Sequence, residues 1–535
     1  MSLFSKIKGR ISKPKASALF GSAYTAASHN HPATEFWDAS GYSGQSAVEH
    51  SRGAITNRAH SLIRNDPIAA AAVNRVVEMA IGRGLVFMSD PDFESLNIDP
   101  ESDVAYELQD KIEREYDLFA NNSRFLADVE RHSTLDDLDA LAARGLAGAE
   151  GEACGVVNSL DRGGVYNTCV QVIDAARLSS PVGKTSSPYF RDGIELNAHG
   201  AAVAYHVRQS HPNDNSFNAD SFKWVRVKRE TRTGRPVFIH AFKKLRPGQL
   251  RGISPFAPVL TKLKQLDRYN DAELSAALQL ADMPIFIKSD MPPELLESGL
   301  DFGVGEKAVG KEKPSFLGFE KYRGKYHKAQ NLARKLGAKI GILSAGEDVT
   351  TVAPTYPALG TSELRRGHTQ ATAAALGVGY SQISGDLTKV NYSSERSGKI
   401  TVKGATEMFV ATFVSQWKMQ ILRAFMEEAF AKGRIKLPKG AVPFSENPDA
   451  WMKSIWIAPG PGWIDPKKEA DAVALRLQNN ITSYADEVAS TGKHPRRMLK
   501  QIKRWEKVSK KMGVNLNAQS SSDQKYSSDE ETENA

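Results

Sequence analysis

Two long amphipathic helical patterns constrain the fold of this chain more than any other feature of its 535 residues. The first spans residues 254–282 and begins at Ser254-Pro255, and the second spans roughly residues 394–431. Apolar residues recur in both every three or four positions, which places them on one face of a helix. A helix of about 28 residues is on the order of 40 Å long. The sequence therefore predicts two rods, each with an apolar face that another surface must cover. Their apolar positions are Phe256, Val259, Leu260, Leu263, Leu266, Leu274, Ala277, Leu278 and Ala281 in the first, and Phe409, Val410, Phe413, Val414, Trp417, Ile421, Phe425 and Met426 in the second.

A Gly- and Ser-rich segment, residues 377–393, separates the second rod from a shorter helix predicted over residues 361–376. Its glycines permit turns, and residues 391–394 can cap the helix that follows. A loop of this length between two helices is uncommon unless it is functional or packed. The sequence leaves both interpretations open.

The rest of the chain predicts an α+β protein with several lobes, because its length exceeds what one compact core can hold. Asp66-Pro67 marks one helix start, since aspartate can cap and proline fits the first turn. Further helices are predicted over residues 104–119, after Thr134 and after Asp465. Short β-like runs bounded by Gly, Asn, Asp and Pro fill residues 153–239.

Composition narrows the class of protein. Hydrophobic residues make up 41% of the chain, but no run of about 18 apolar residues could span a membrane. Cys154 and Cys169 are the only cysteines, which favours a reducing compartment and two buried small residues over a disulfide or a metal site. The basic residues 1–17 lack the apolar segment of a secretory signal. The acidic, polar residues 517–535 are predicted to be disordered.

Enzymatic motifs are imperfect or missing in the sequence. Residues 305–312 imitate a phosphate-binding loop, but Glu312 stands where a hydroxyl is needed and no apolar strand precedes the motif. Gly41-Tyr42-Ser43-Gly44 is one residue too short for a nucleophile elbow. The pairs Asp136/Asp137 and Glu427/Glu428 are explained by helix capping and solvated faces. We predict a protein that is not an enzyme and uses no cofactor or metal.

Positive charge is concentrated in three stretches of the chain. Residues 223–251 hold ten Lys and Arg against one acid, residues 307–339 are also basic, and residues 496–511 hold eight against one. Such patches can meet phosphate backbones by releasing counterions. They can equally be solvated faces or subunit contacts, and the sequence does not decide.

Several stretches, in the same order along the chain, resemble the lambda-type portal proteins of tailed bacteriophages. The resemblance covers roughly residues 50 to 510, and each motif is modest while the ordered set is specific. The stretches are residues 65–68, 82–85, 151–153, 192–195, 204–207, 240–255, 263–273, 385–396 and 465–470.

The resemblance implies a portal-type fold, with an α/β wing, a long-helix stem, a small α/β clip and an α-helical crown, assembled as a ring. In such a ring the two rods, with no evident partner in their own chain, would bury their apolar faces against neighbouring subunits. The implied divisions are a flexible basic arm (1–50), wing (51–253), stem helix (254–282), clip (283–350), second stem helix region (351–376), channel loop (377–393), strut helix and wing return (394–464), crown (465–514) and disordered acidic tail (515–535).

The resemblance also implies a function: a dodecameric ring at one capsid vertex that passes double-stranded DNA during packaging and ejection. Lys389, Arg396 and Lys399 are the expected channel contacts. The expected motor-docking residues of the clip are Lys321, Arg323, Lys325 and Lys328. Implied partners are the large terminase, the major capsid and scaffolding proteins, a head-completion or adaptor protein and non-specifically bound DNA, with no membrane. The ring would assemble in the bacterial cytoplasm and reside in the virion.

Two other functions compete with this interpretation. A nuclease or ATPase of the packaging machinery would hydrolyse nucleotide or cut DNA, and the imperfect loop at residues 305–312 weighs against it. A general shell or tail protein would form sheets or tubes in place of a closed ring.

Overall fold

The computed structural model of the protein describes residues 41–212, 214, 222–281, 285–287, 334–335, 338–342, 361–386, 388, 392–460, 462 and 465–514. Of residues 279–281, 392–396 and the short segments between 285 and 342, only the backbone is described. Most of the predicted arm and clip and the whole acidic tail therefore lie outside the described residues.

Four helices open the described chain, and their caps follow from the sequence. The Asp66 carboxylate accepts a hydrogen bond from Ala69 N at 2.9 Å, and Pro67 occupies the first turn, as predicted. At the helix predicted after Thr134, the side chains of Thr134 and Asp137 each accept a hydrogen bond from the other's backbone N, which confirms the capping role of Asp137. The helices are α1 (Gly44–Asn65), α2 (Pro67–Ala80), α3 (Asp103–Ala120) and α4 (Leu135–Ala147).

Helix α1 corrects the predicted boundary of the arm, because it begins at Gly44, inside residues 1–50. The Ser43 hydroxyl caps it by accepting a hydrogen bond from Ser46 N at 3.2 Å. Its buried side chains include Gln45 and Thr56 alongside Val48. A face this polar gives no apolar periodicity, so the sequence pattern misses the helix.

Two antiparallel sheets follow and confirm the mixed α+β class. One has the strand order β3-β2-β8 and the other β4-β5-β6-β7. They share a small core that includes Cys154, Leu178 and Tyr205.

Both cysteines are free and buried, as predicted. The strands are β1 (Val86–Ser89), β2 (Glu152–Ser159), β3 (Thr168–Ile173), β4 (Phe190–Arg191), β5 (Ile194–Leu196), β6 (Ala202–Arg208), β7 (Trp224–Lys228) and β8 (Phe238–Phe242).

The C-terminal half of the described chain is mainly helical, and one of its strands pairs with the N-terminal half. Strand β12 (Ser454–Ile457) pairs antiparallel with β1, with Ile457 opposite Val86. Between β8 and β12 come α5 (Leu260–Ala281), β9 (Ile285–Ile287), β10 (Arg334–Lys335), β11 (Ala338–Ile342), α6 (Thr361–Leu376), α7 (Tyr380–Ser384), α8 (Tyr392–Phe413), a π-helical turn (Val414–Lys418), α9 (Met419–Ala431) and α10 (Pro448–Met452). After β12 come α11 (Pro466–Gln478), α12 (Tyr484–Ser490) and α13 (Pro495–Met512).

The second predicted rod is α8, the π turn and α9, and its rear half lies in the protein's own core. Phe413, Trp417, Ile421 and Phe425 are all fully buried there. The expectation that this rod lacks a partner in its own chain is therefore wrong for its second half. Gly155 in β2 explains the fit, since a Cβ at that position would lie 2.6 Å from Trp417 Cη2.

The first rod begins later than predicted, at Leu260, because residues 255–259 form turns. The Ser254 hydroxyl donates to Gly148 O at 2.9 Å and holds the approach to the helix. Leu263 and Leu266 are buried in the first half of α5, while Leu274 and Leu278 are 59% and 61% exposed in the second half. Only the far half of this rod lacks cover.

Glu428 departs from its predicted role as part of a solvated face. Its carboxylate accepts hydrogen bonds from Asn167 N at 2.6 Å and Thr168 N at 2.8 Å. The Thr168 hydroxyl also donates to it, at 2.5 Å. The glutamate thus ties α9 to the start of β3, a contact between residues 260 positions apart that no local pattern announces.

Among the described residues, no helix is both long and apolar enough to cross a bilayer.

Candidate functional site: the outer halves of the long helices

Helices α5 and α6 are tied together by polar contacts at their outer ends. The Tyr269 hydroxyl lies 3.0 Å from the Thr361 hydroxyl. Arg365 donates to the Glu273 carboxylate at 2.8 Å, and Glu273 is largely shielded from solvent. These are the two helices that the resemblance to portal proteins pairs as a stem.

The uncovered apolar side chains of the long helices fall in these outer halves. Ile400 and Met408 of α8 are 67% and 66% exposed, whereas Val410 and Phe413, closer to the C-terminal end of the same helix, are buried. The same change occurs along α5 after Leu266. Large apolar side chains are usually buried, so a row of exposed ones along a rod is a candidate contact surface for another protein surface. The outer apolar set comprises Leu274 and Leu278 of α5, Ile400 and Met408 of α8, and Leu364 at the start of the shorter helix α6.

The first part of the segment between the helices is packed. Val378 and Ile383 are buried against the core. Arg75 of α2 donates to Gln382 O at 3.1 Å, and the Gln382 side chain accepts from Gly379 N at 2.9 Å. Residues 377–386 are therefore an anchored connection that includes α7, where the sequence left packing and function as alternatives.

The anchored connection ends in a small hydrogen-bonded turn. The Asp386 carboxylate accepts from the Thr388 backbone N at 3.0 Å and from the Thr388 hydroxyl at 2.6 Å. These two hydrogen bonds lower the pKa of Asp386. An ionised aspartate at this point lies three residues before Lys389.

The predicted contact residues are only partly placed. Lys389 and the four clip residues, Lys321, Arg323, Lys325 and Lys328, lie outside the described residues. Arg396 lies in α8, where the backbone alone is described, and Lys399 is half-exposed one turn later. Residues three apart share a helix face, so Arg396 and Lys399 belong to one side of α8.

A buried ion pair fixes the rear end of the second rod, and it was missed in the sequence. Lys418 Nζ contacts Asp139 Oδ2 in α4, and Trp417 Nε1 donates to Asp139 Oδ1 at 2.9 Å. Lys418 also donates to the Tyr116 hydroxyl at 2.9 Å. Burial alone would lower the pKa of Lys418, but the neighbouring Asp139 charge outweighs it and raises that pKa. The lysine is therefore charged in a fully buried position.

A second buried network holds the entry to the first rod. Arg251 Nη2 lies 2.5 Å from Glu152 Oε1, and both side chains are fully buried. Arg52 and His240 each approach the same carboxylate at 3.0 Å. Burial would raise the pKa of Glu152, but Arg251 and Arg52 hold it well below its usual value. Arg251 lies nine residues before α5 begins at Leu260, so this network anchors the chain on its approach to the helix.

Cys154 lies beside the same network but does not complete a metal site. Ligand atoms of Glu152, Cys154 and His240 lie within 4.8 Å of one another. The carboxylate is already occupied by two guanidinium groups, which would repel a cation. Burial also raises the pKa of the Cys154 thiol well above its usual value, so the thiolate that binds metals is disfavoured.

Sequence comparison places the chain among known proteins. A sequence model described as phage portal protein, lambda family, matches residues 31–408. The portal protein of Escherichia phage N15 is 28% identical over 465 residues, covering 85% of this chain and 84% of that protein. Portal protein B of Escherichia phage lambda is 27% identical over 439 residues, with 81% and 80% covered.

Among solved structures, a chain in the neck of the empty GTA particle, computed with C6 symmetry, matches with a TM-score of 0.37 and 12% identity. The match covers 83% of this chain and 93% of that one.

Proposed function

The chain belongs to the lambda family of phage portal proteins, and on that premise we propose that it assembles into a twelve-subunit ring at one capsid vertex. Double-stranded DNA passes through this ring during packaging and ejection. Portal proteins are structural parts of the phage capsid that connect head and tail, so the chain acts as a conduit and a docking platform and catalyses no reaction.

The observation that carries this proposal is the outer apolar set. Each long helix is buried at one end in its own subunit and uncovered at the other. In a closed ring one side of each subunit packs against a different side of the next copy, so such faces are covered and none is left open at an edge. The ring arrangement therefore needs only the outer halves of the rods, and the inner halves give each subunit a rigid base.

The proposed channel contacts are Lys389, Arg396 and Lys399, between the anchored turn at Asp386 and the front of α8. A duplex that slides must be held weakly and without reading its bases, because many tight phosphate contacts would act as brakes. One to three cations after a fixed turn meet that requirement.

The remaining partners are proposed from family membership. The clip residues Lys321, Arg323, Lys325 and Lys328 would dock the large terminase. Other surfaces would meet the major capsid and scaffolding proteins and the head-completion or adaptor protein. The ring would assemble in the host cytoplasm and remain in the virion. A nuclease or ATPase role is the alternative, and nucleotide hydrolysis or DNA cutting by the purified rings would favour it.

Charged residues in the outer apolar set should abolish the ring. We expect Leu274→Asp with Leu278→Asp to leave the subunit folded but monomeric, because each aspartate would have to be buried uncompensated at a subunit contact. Negative-stain images and light scattering after size exclusion measure the assembly. Val182→Asp is the matched control, since Val182 is 84% exposed and lies outside the long helices. Intact rings from the double variant would contradict the proposed interface.

Removing the Lys389 charge should change DNA movement without changing assembly. We expect Lys389→Ala to form normal rings. It should alter the amount of DNA packaged or retained in an in vitro packaging reaction, because one contact to the DNA phosphate backbone is lost. Lys439→Ala, at another exposed lysine, should behave as the unaltered protein. If Lys389→Ala prevents ring formation, the residue is a packing element and the channel role is wrong.

A further inference from the structure

Helix α13 separates its charges from its apolar residues more completely than the other helices described here. It holds eight of the chain's Lys and Arg residues within residues 496–511, with Glu506 as the one acid. At 3.6 residues per turn, all eight fall within an arc of about 140°. Ile502, Trp505 and Met512 lie on the other side, and they are also exposed. The cationic face comprises Arg496, Arg497, Lys500, Lys503, Arg504, Lys507, Lys510 and Lys511.

The first turn of α13 is anchored to the wing. Arg496 Nη2 lies 2.6 Å from Glu113 Oε1 and donates to Ser89 O at 2.8 Å. Lys500 pairs with Asp110 of α3. His494, which caps the helix, lies 3.0 Å from Glu113 Oε2. Two of the eight cations thus fix the helix in place.

The other six cations project without a carboxylate partner at salt-bridge distance among the described residues. Five of them, between Lys503 and Lys511, extend to about 17 Å beyond Lys500 at 1.5 Å per residue. Like charges this close on one face repel each other, so the arrangement stabilises nothing by itself. Its natural complement is a linear polyanion.

We propose that the cationic face of α13 binds the phosphate backbone of double-stranded DNA without regard to sequence. Lys and Arg in a row release counterions when they meet phosphates, which supplies affinity that does not depend on base contacts. The identity of the polyanion rests on the proposed function, while the binding site rests on the geometry of the helix. Ring formation and binding at this face can therefore succeed or fail separately.

Two alternatives to DNA as the ligand of the cationic face can be distinguished by experiment. The acidic residues 515–535 follow this helix directly and hold five Asp and Glu against one Lys, so they could cover the face. A basic helix with an exposed tryptophan is also typical of membrane-surface binding. Against the membrane, Gln501, Glu506 and Ser509 interrupt the apolar side, and part of the cationic side is already held against α3.

The test measures binding of the full chain to a short fluorescein-labelled duplex by anisotropy, from about 50 to about 200 mM salt. The variant is Lys503→Gln with Arg504→Gln and Lys507→Gln, in which glutamine preserves helix propensity. The matched control is Lys436→Gln with Lys439→Gln and Lys467→Gln, which removes the same charge from three exposed positions outside the three basic stretches. Circular dichroism checks folding, and negative-stain images check rings.

We expect the α13 variant to bind more weakly than the control, and the slope of log affinity against log salt to fall by about 2.7, at about 0.9 per lost contact. Equal binding by the two variants would overturn the proposal. The proposal would also be overturned if the α13 substitutions affected DNA binding only after neutralisation of Asp529, Glu530, Glu531 and Glu533. That result would mean that the acidic tail, and not DNA, occupies the cationic face. Preference for anionic lipid vesicles over DNA would also overturn it. Rings with no α13-dependent binding would leave the proposed function intact, and binding without rings would leave the site intact.

Discussion

Replacing Lys418 by methionine should cost about 3–5 kcal/mol of unfolding free energy, because it leaves the fully buried Asp139 charge without its partner. Trp417 would still donate to Asp139, but one hydrogen bond does not replace an opposite charge. The measurement is the midpoint of urea-induced unfolding, followed by tryptophan fluorescence at fixed protein concentration so that the assembly state is constant.

Lys403→Met is the matched control for this loss. Lys403 lies in the same rod and pairs with Glu407 at 3.7 Å, but both side chains are more than 60% exposed. An exposed pair of this kind contributes about 0.5 kcal/mol or less. Equal losses from the two substitutions would mean that the Lys418 charge is not compensating a buried aspartate.

Replacing Arg251 by methionine should be about as damaging at neutral pH, because Glu152 would keep its charge in a buried site with its nearest partner gone. Adding Glu152→Gln should recover part of the lost stability, because the buried carboxylate that Arg251 would have neutralised is then absent. Arg226→Met is the control: its partner Glu195 is on the surface, and Arg226 is 45% exposed.

The Arg251→Met penalty should shrink as the pH falls. In the unaltered protein the pKa of Glu152 is lowered, so its stabilising effect is present above its ordinary pKa and is lost only as pH falls through the lowered value. Without Arg251 the largest charge that lowers this pKa is gone, although Arg52 and His240 remain beside the carboxylate. The pKa of Glu152 is therefore higher in the variant, which takes up a proton at a higher pH and loses part of the penalty as the pH falls. A penalty that stays constant as the pH falls would show that lost packing, and not the carboxylate, causes it.

Local signals in the sequence predicted local structure well. Asp66, Thr134 and Asp465 each precede a helix and cap it, because capping depends only on residues two or three positions away. The apolar face of the second rod was also correct, since Trp417, Ile421 and Phe425 are buried. What covers that face was not predictable from periodicity, which identifies a buried side without identifying its partner.

Contacts between residues far apart in the sequence were the features that the sequence analysis most often missed. Glu152 and Arg251 are 99 positions apart, and Asp139 and Lys418 are 279 apart. Each lies in a segment with an ordinary polar pattern, and only the fold brings the charges together. Helix α1 was missed for a related reason, because Gln45 is buried by accepting a hydrogen bond from Leu250 N at 2.8 Å and adds no apolar signal.

The candidate channel residues remain predictions of sequence and family. The structure contributes the boundary conditions of that segment: a packed start at Ile383, a capped turn at Asp386 and a helix from Tyr392. These fix both ends of the five-residue span 387–391, which contains Lys389.

The π turn at Val414–Lys418 sets the face of α8 apart from the face of α9. Such a turn accommodates one residue more than a regular helix does, which offsets the phase of everything before it by about 100°. The residues that face outward along α8 therefore do not follow from the pattern that buries Ile421 and Phe425 behind the turn. One continuous rod thus presents two differently oriented faces.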